Sequence, residues 1–250
     1  MDSSSPSTEP REGVRSIERA IDVLFSFTQQ PVLDIASLQA QTGLTRPTLY
    51  RLLATLENRG LVYSFGSPRR FQLGFRFGVL ANSWTQRPAL VSIASDLLEK
   101  LWSETRETVA LIMPVSATHR MCVFELKSPQ AISFSRGIGY TEPLSRGASG
   151  KVLLAYLSHE HQKVALESCT RKQRDAILVE LESARRDGIL VTHAEIIPGS
   201  VALASPVLTP SGEVLAAVCI FGTELRLRGA VMQSCQKALR RTAKEISRLL

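Results

Sequence analysis

No lysine precedes Lys100 in this 250-residue chain, so every cation before that point is an arginine. Arginine forks onto phosphate or guanine where a lysine ammonium acts as a point charge. Acid is scarce in part of the same region. Between Leu44 and Arg87, the arginines Arg46, Arg51, Arg59, Arg69, Arg70, Arg76 and Arg87 face the single acid Glu57, an excess of six positive charges. Cysteine is sparse as well. Cys122, Cys169, Cys219 and Cys235 form no C-x-x-C pair and suggest no disulfide framework, so they read as reduced thiols of a cytoplasmic protein. His159 and His161 sit in a polar "SHEHQ" turn without a cysteine or carboxylate cluster, which reads as a solvated pair and gives no metal site. No apolar run reaches the ~18 residues of a membrane-spanning helix. The opening "MDSSSPSTEPREG" has neither the basic nor the apolar region of a signal peptide, and residues 1–12 read as a disordered tail.

What is present begins with helical patterns. In "VRSIERAIDVLFSF", Ile17, Ala20, Ile21, Leu24 and Phe25 recur at helical spacing and predict one apolar face. A short helix follows over Ile35–Gln41, closed by Gly43. A third helix starts after Thr45, a candidate N-cap, with Pro47 in its first turn. Leu49, Leu52, Leu53 and Leu56 share one face of it. Pro47, Arg51 and Asn58 point the other way, flanked by Thr48, Tyr50 and Thr55. The outward face is thus basic and rich in hydrogen-bonding groups, as a recognition helix requires. "LVYSFGSPRRFQLG" then reads as strand, turn and strand, with Arg69 and Arg70 near the tip of a wing. Residues 13–74 are therefore expected to form a winged helix-turn-helix. Its DNA-contacting residues would be Thr45, Arg46, Pro47, Thr48, Tyr50, Arg51, Thr55, Arg69 and Arg70.

Residues 75–88 read as a linker helix with a break near Pro88, and 89–250 as a second domain. Leu90, Ile93, Ala94, Leu97, Leu98 and Leu101 share a helical face. "TVALIMPVS" and "RMCVFELK" predict a hairpin across "ATH", and "AISFSRG" a further strand. "KQRDAILVELESARRDG" is a helix ending at Gly188, and the "TPSG" turn joins the last two strands before a C-terminal helix. Antiparallel strands flanked by helices predict an α+β sensor domain.

One stretch in this second half, "SRGASGKV" at Ser145–Val152, invites comparison with a phosphate-binding loop. That loop needs a leading glycine and a hydroxyl after the lysine. Ser145 and Val152 stand in those places. The stretch fits instead either an ordinary strand-to-helix turn with Ser149 as N-cap, or a wall of a ligand pocket.

With both halves laid out, the chain resembles the IclR family of bacterial transcription regulators from about Val14 to its end. The resemblance is carried by "RSIERAIDVL", "TGLTRPTLYRLLATLENRGLV", "LSRGASGKVLLAYL", "RRDGILVTHAEIIPGSVALASPVL" and "GEVLAAVCIFG". It implies an N-terminal winged helix-turn-helix, a linker helix and a GAF-like α/β effector-binding domain. It also implies a homodimer or dimer of dimers on a palindromic double-stranded DNA operator, with a small organic acid as effector and no cofactor. Carried over by position, the effector pocket would comprise Ala148, Ser149, Thr192, Ser200, Ala202, Cys219 and Phe221. The backbone amides after Gly147 would face a carboxylate, and the apolar wall would favour an aromatic body. Lys151, one turn into the helix, need not face the pocket. The rival expectations are an enzyme using Cys219 or Ser149, though neither has an assignable histidine and acid and no G-x-S-x-G elbow exists, and a DNA-binding protein without a ligand.

Overall fold

A computed structural model describes residues 14–85 and 89–250, which fall into two compact units divided after Arg87. The expected tail, Arg87 and the break at Pro88 lie outside the described residues.

The first unit holds α1 (Arg15–Gln29), α2 (Ile35–Thr42), α3 (Arg46–Asn58), β1 (Val62–Phe65), β2 (Arg70–Leu73) and α4 (Arg76–Thr85). Asp34 caps α2 by accepting from the Ser37 amide at 2.8 Å, and Gly43 ends the helix in a left-handed conformation at φ 68°. β1 and β2 pair antiparallel, Val62 opposite Leu73 and Phe65 opposite Arg70. Leu33 adds a bridge to Phe71 through two backbone hydrogen bonds of 3.0 and 2.8 Å. The core is small: Val23, Phe27, Leu33, Leu38, Leu49, Leu53, Leu56, Val62 and Phe71. α3 therefore turns its leucines inward, with Leu52 only partly buried.

α1 corrects the sequence expectation. Ile17, Ile21 and Phe25 are 57%, 44% and 65% exposed, while Val23, Ser26 and Phe27 face the core. The helix carries apolar residues on two adjacent stripes. Packing against α2, α3 and β2 takes the second one, and periodicity alone cannot rank them.

The second unit contains α5 (Ala89–Thr105), β3 (Thr108–Pro114), β4 (His119–Leu126), β5 (Thr141–Pro143), α6 (Gly147–Tyr156), α7 (His159–Ala165), α8 (Arg171–Asp187), β6 (Leu190–His193), β7 (Ser200–Leu208), β8 (Val214–Thr223) and α9 (Gly229–Arg248). All six strands are antiparallel, in the order β5-β4-β3-β8-β7-β6. Alternation along the strands sorts side chains between the two faces. Val109, Leu111, Val201, Leu203, Val218 and Ile220 pack under α5 and α9. Ala110, Ile112, Ala204, Ala217 and Cys219 lie under α6 and α8. The second set is mostly small, so α6 can lie close to the sheet, and its residues from Gly147 to Ala155 are all buried. The fold is α+β, as the strand and helix patterns predict.

Two local expectations fail. "AISFSRG" forms no strand. Its Arg136 and Gly137 amides donate to the Glu125 carboxylate at 2.8 and 3.1 Å instead of to a ladder. The "SHEHQ" turn is the start of α7. Ser158 caps that helix by accepting from the His161 amide, and its hydroxyl meets His161 Nδ1 at 2.7 Å. The sequence signal was Ser158 ahead of the stretch, but a helix of seven residues has too few turns for periodicity to mark it.

Candidate DNA-reading face and effector cavity

α3 presents Arg46, Pro47, Tyr50, Arg51 and Thr55 to solvent, with Thr48 half-buried and Thr45 exposed just before the first turn. Several of these groups are held. The Thr45 and Thr48 hydroxyls meet at 3.0 Å, Arg46 Nε donates to Gln39 Oε1 at 3.3 Å, and the Thr55 hydroxyl donates to the Arg51 carbonyl at 2.9 Å. Thr45 sits at the N-cap position without capping through its side chain. The Arg51 guanidinium has no hydrogen bond or ion pair among the described residues.

The wing's two arginines differ. Arg69 pairs with Glu57 of α3 at 2.8 Å, donates to the Ser64 hydroxyl at 3.0 Å and lies over the Phe71 ring at 5.3 Å. It braces the β1–β2 hairpin against α3. Arg70 is exposed and forms no such bond among the described residues. The Ser37 amide holds the Asp34 carboxyl below its ordinary range, with the charge of Arg70 a smaller cause.

In the second unit a cavity of about 30 Å³ lies between α6, the loop after β6 and the loop before β5. It is lined by Ala148, Ser149, Thr192, Ser200, Ala202 and Phe221, six of the seven positions carried over from sequence. Register explains the grouping, because Thr192 pairs with Ala202 and Ala202 with Phe221 across β6, β7 and β8. Cys219 is the correction. It lies one pair deeper, opposite Ala204, fully buried beneath α6, and its thiol donates to the Ala217 carbonyl at 3.7 Å. It is not among the residues lining the cavity, and burial pushes its thiol above the ordinary range, which disfavours the thiolate that a nucleophile needs. Ser149 is inside α6 rather than capping it, and its hydroxyl accepts from Arg120 Nε at 2.9 Å. A guanidinium accepts no proton, so Ser149 lacks a base there.

The glycines of the Ser145–Val152 stretch answer to packing. Gly147 has φ 69°, and a Cβ there would sit 2.7 Å from Ile196 Cδ1. A Cβ on Gly150 would meet the Leu144 carbonyl oxygen at 2.5 Å. The amide of Gly147 is already used. It donates to Glu195 Oε1 at 3.0 Å, and the other oxygen of Glu195 takes Lys151 Nζ at 2.9 Å. Lys151 is buried but lies outside the cavity lining, and it also pairs with Glu180 at 2.6 Å. The first amide of α6 therefore already holds a carboxylate of the chain itself, while Ala148 and Ser149, the next residues of the helix, line the cavity.

Sequence reasoning missed the charged lining: Arg120, Arg136, Glu142 and Glu195. Arg120 is 3% exposed and donates to Ser149, to the Pro143 carbonyl and to Glu142 Oε2. Burial lowers its pKa and the Glu142 charge opposes that shift. An arginine inside the strand-like run "HRMCVFEL" was the available signal, since a charge in an apolar strand is buried only when paired. Among the described residues no cluster of His, Cys, Asp and Glu could hold a metal ion, and no helix is long and apolar enough to cross a membrane.

Comparison with known proteins yields two family matches: "IclR helix-turn-helix domain" over residues 16–64 and "Bacterial transcriptional regulator IclR C-terminal" over residues 83–248. The HTH-type transcriptional regulator KipR of Bacillus subtilis is 23% identical over 242 residues, covering 94% of this chain and 96% of its own. An HTH-type transcriptional regulator of Mycobacterium tuberculosis is 30% identical over 234 residues, covering 88% of this chain and 89% of its own. Among solved structures, an IclR homolog of Microbacterium hydrocarbonoxydans complexed with 4-hydroxybenzoate superposes with a TM-score of 0.78. It shares 21% identity and covers 93% of this chain and 98% of its own.

Proposed function

This chain belongs to the IclR family of bacterial transcription regulators, and we propose that it binds a palindromic operator as a homodimer whose grip a small organic acid alters. The observation that carries this is the coexistence of a guanidinium on α3 without a partner among the described residues and a cavity with charged lining in the second unit. Arg51 reads a base edge from the major groove, helped by Thr48, while Arg46, Tyr50, Thr55 and the wing fix position on the backbone. The stripe of Ile17, Ile21 and Phe25 on α1 is the face a second copy covers. Three large apolar side chains side by side in water mark an interface more than a free surface.

The cavity of about 30 Å³ holds roughly one water, so any acid has to widen it, and a two- or three-carbon acid needs the smaller movement. A second interpretation, an aromatic acid, is favoured by the 4-hydroxybenzoate in the structural relative of the same fold. It needs Phe134 and Phe221, both in the cavity wall, to turn aside.

A gel shift on the promoter DNA beside the protein's own gene tests the whole proposal, with pyruvate and benzoate as the acids. A shift that either acid alters supports it. A shift insensitive to both sinks the effector, and no shift at all sinks the operator. Calorimetry then ranks the two acids, with pyruvate expected to bind more tightly than benzoate.

A further inference from the structure

We propose that the carboxylate of the acid is seated on the guanidinium of Arg136, with Arg120 beside it, and that Glu142 is the internal anion which it displaces from Arg136. This rests on the cavity being the effector site, and adds where its anion goes.

Two guanidiniums in the cavity wall share one carboxylate, unequally. Glu142 Oε2 takes Arg120 Nη2 at 2.9 Å, whereas Glu142 Oε1 stands 3.4 Å from Arg136 Nη1. The first is a good charge-assisted bond and the second is stretched. Arg120 has further acceptors in the Ser149 hydroxyl and the Pro143 carbonyl. Arg136 has none among the described residues; its guanidinium lies over the Tyr140 ring at 5.5 Å. A guanidinium carries five N–H donors, and this one spends a single donor on a long contact while its side chain is only 17% exposed. A cation shielded in this way, with donors unfilled, lines a cavity whose apolar walls include Phe134, Ile196 and Phe221.

The geometry also holds Arg136 in place from behind. The Glu125 carboxylate on β4 accepts from the Arg136 amide, from the Gly137 amide and from the Ser135 hydroxyl. The backbone is pinned and the side chain is left to the cavity, which spares a ligand the cost of ordering the loop. The remaining acid in the wall, Glu195, is committed to the Gly147 amide and to Lys151. That takes the first amide of the helix terminus and leaves the arginine pair as the cationic groups of the wall. A planar carboxylate matches the fork of Arg136 and has to replace only the stretched contact of Glu142. Glu142 then keeps Arg120, so no buried charge is stranded.

Substitutions of neighbouring residues should move affinity in opposite directions, which a merely structural role does not produce. Calorimetry on the full chain would use pyruvate, propionate and benzoate, with the primary amide of each as its uncharged counterpart. The wild type is expected to take an acid and to reject its amide. Arg136→Gln should weaken the acid by about tenfold or more, and Arg136→Lys should restore part of the loss. Glu142→Gln keeps the shape, removes the competing charge, and should tighten the acid by about threefold or more. Melting temperatures of all variants check folding. If Glu142→Gln fails to fold because Arg120 loses its counter-ion, the Arg136 pair decides alone. Acid binding that survives Arg136→Gln unchanged overturns the arginine seat and leaves the acid-effector proposal standing. A wild type that takes none of the three acids overturns both.

Discussion

Arg51 and Arg120 carry the same side chain in opposite circumstances. Arg51 stands in water on a helix face with no hydrogen bond or ion pair among the described residues. Arg120 is sealed between β4, β5 and α6, with a hydroxyl, a carbonyl and a carboxylate arranged around it. The first is a charge without a partner among the described residues, as the proposed operator contact requires. The second is a charge the fold has already satisfied, and Arg136 lies between these extremes. Which task an arginine performs is decided by its acceptors, and those come from residues distant in sequence. Glu142 and Ser149 lie 22 and 29 positions from Arg120.

The difference breaks most visibly at Arg120→Ala. Removing one member of a buried ionic cluster leaves the others without compensation and should cost about 3–5 kcal/mol of the second unit's stability. Ser149 and the Pro143 carbonyl lose their donor, and Glu142 is left with its 3.4 Å contact to Arg136. Urea unfolding in a Trp84→Phe background would report this through Trp102 of α5, whose indole donates to the Lys127 carbonyl at 2.8 Å. A loss of under about 1 kcal/mol would mean that water had replaced the guanidinium at little cost.

Arg51→Ala should behave in the reverse manner. Stability should hold within about 0.5 kcal/mol, because an exposed side chain without partners is removed. Operator affinity should fall by about 1–3 kcal/mol, with preference relaxed at one base pair. Anisotropy titrations on operator variants separate that from a phosphate contact, which would weaken all sequences alike.

Much of this contrast was legible before any coordinates, and the illegible part has a physical cause. The recognition helix could be read because its two faces differ in composition every 3.6 residues, and the glycine ends of α2 and α8 because a left-handed cap needs glycine. The small-residue wall at Ala148, Ser149, Thr192, Ser200 and Ala202 came through the family resemblance rather than through pattern. Arg136 and Glu142 left no signal, since a charged cluster assembled from β4, a loop and β5 has no periodicity, and Arg120 showed only as a charge within an apolar strand. The stripe of α1 was misassigned for a related reason: helical period marks an apolar face, and only tertiary partners decide whether it is covered.

The wing supplies the finest test, because Arg69 and Arg70 are adjacent and, among the described residues, Arg69 alone is already paired. Each phosphate contact contributes about one unit to the slope of log affinity against log salt. Arg70→Ala should flatten that slope by about one unit. Arg69→Ala should flatten it by clearly less, since Glu57 neutralises Arg69 at 2.8 Å before DNA arrives. The same pair is mostly surface, 55% and 22% exposed at its two side chains, so its loss should change stability by no more than about 1 kcal/mol. Glu57→Gln sharpens the comparison further. It frees Arg69 for a phosphate and should steepen the slope toward one additional unit, roughly, while leaving base preference untouched. Equal flattening by Arg69→Ala and Arg70→Ala would show that the ion pair opens on DNA, and that a surface partner is too weak to assign an arginine its task.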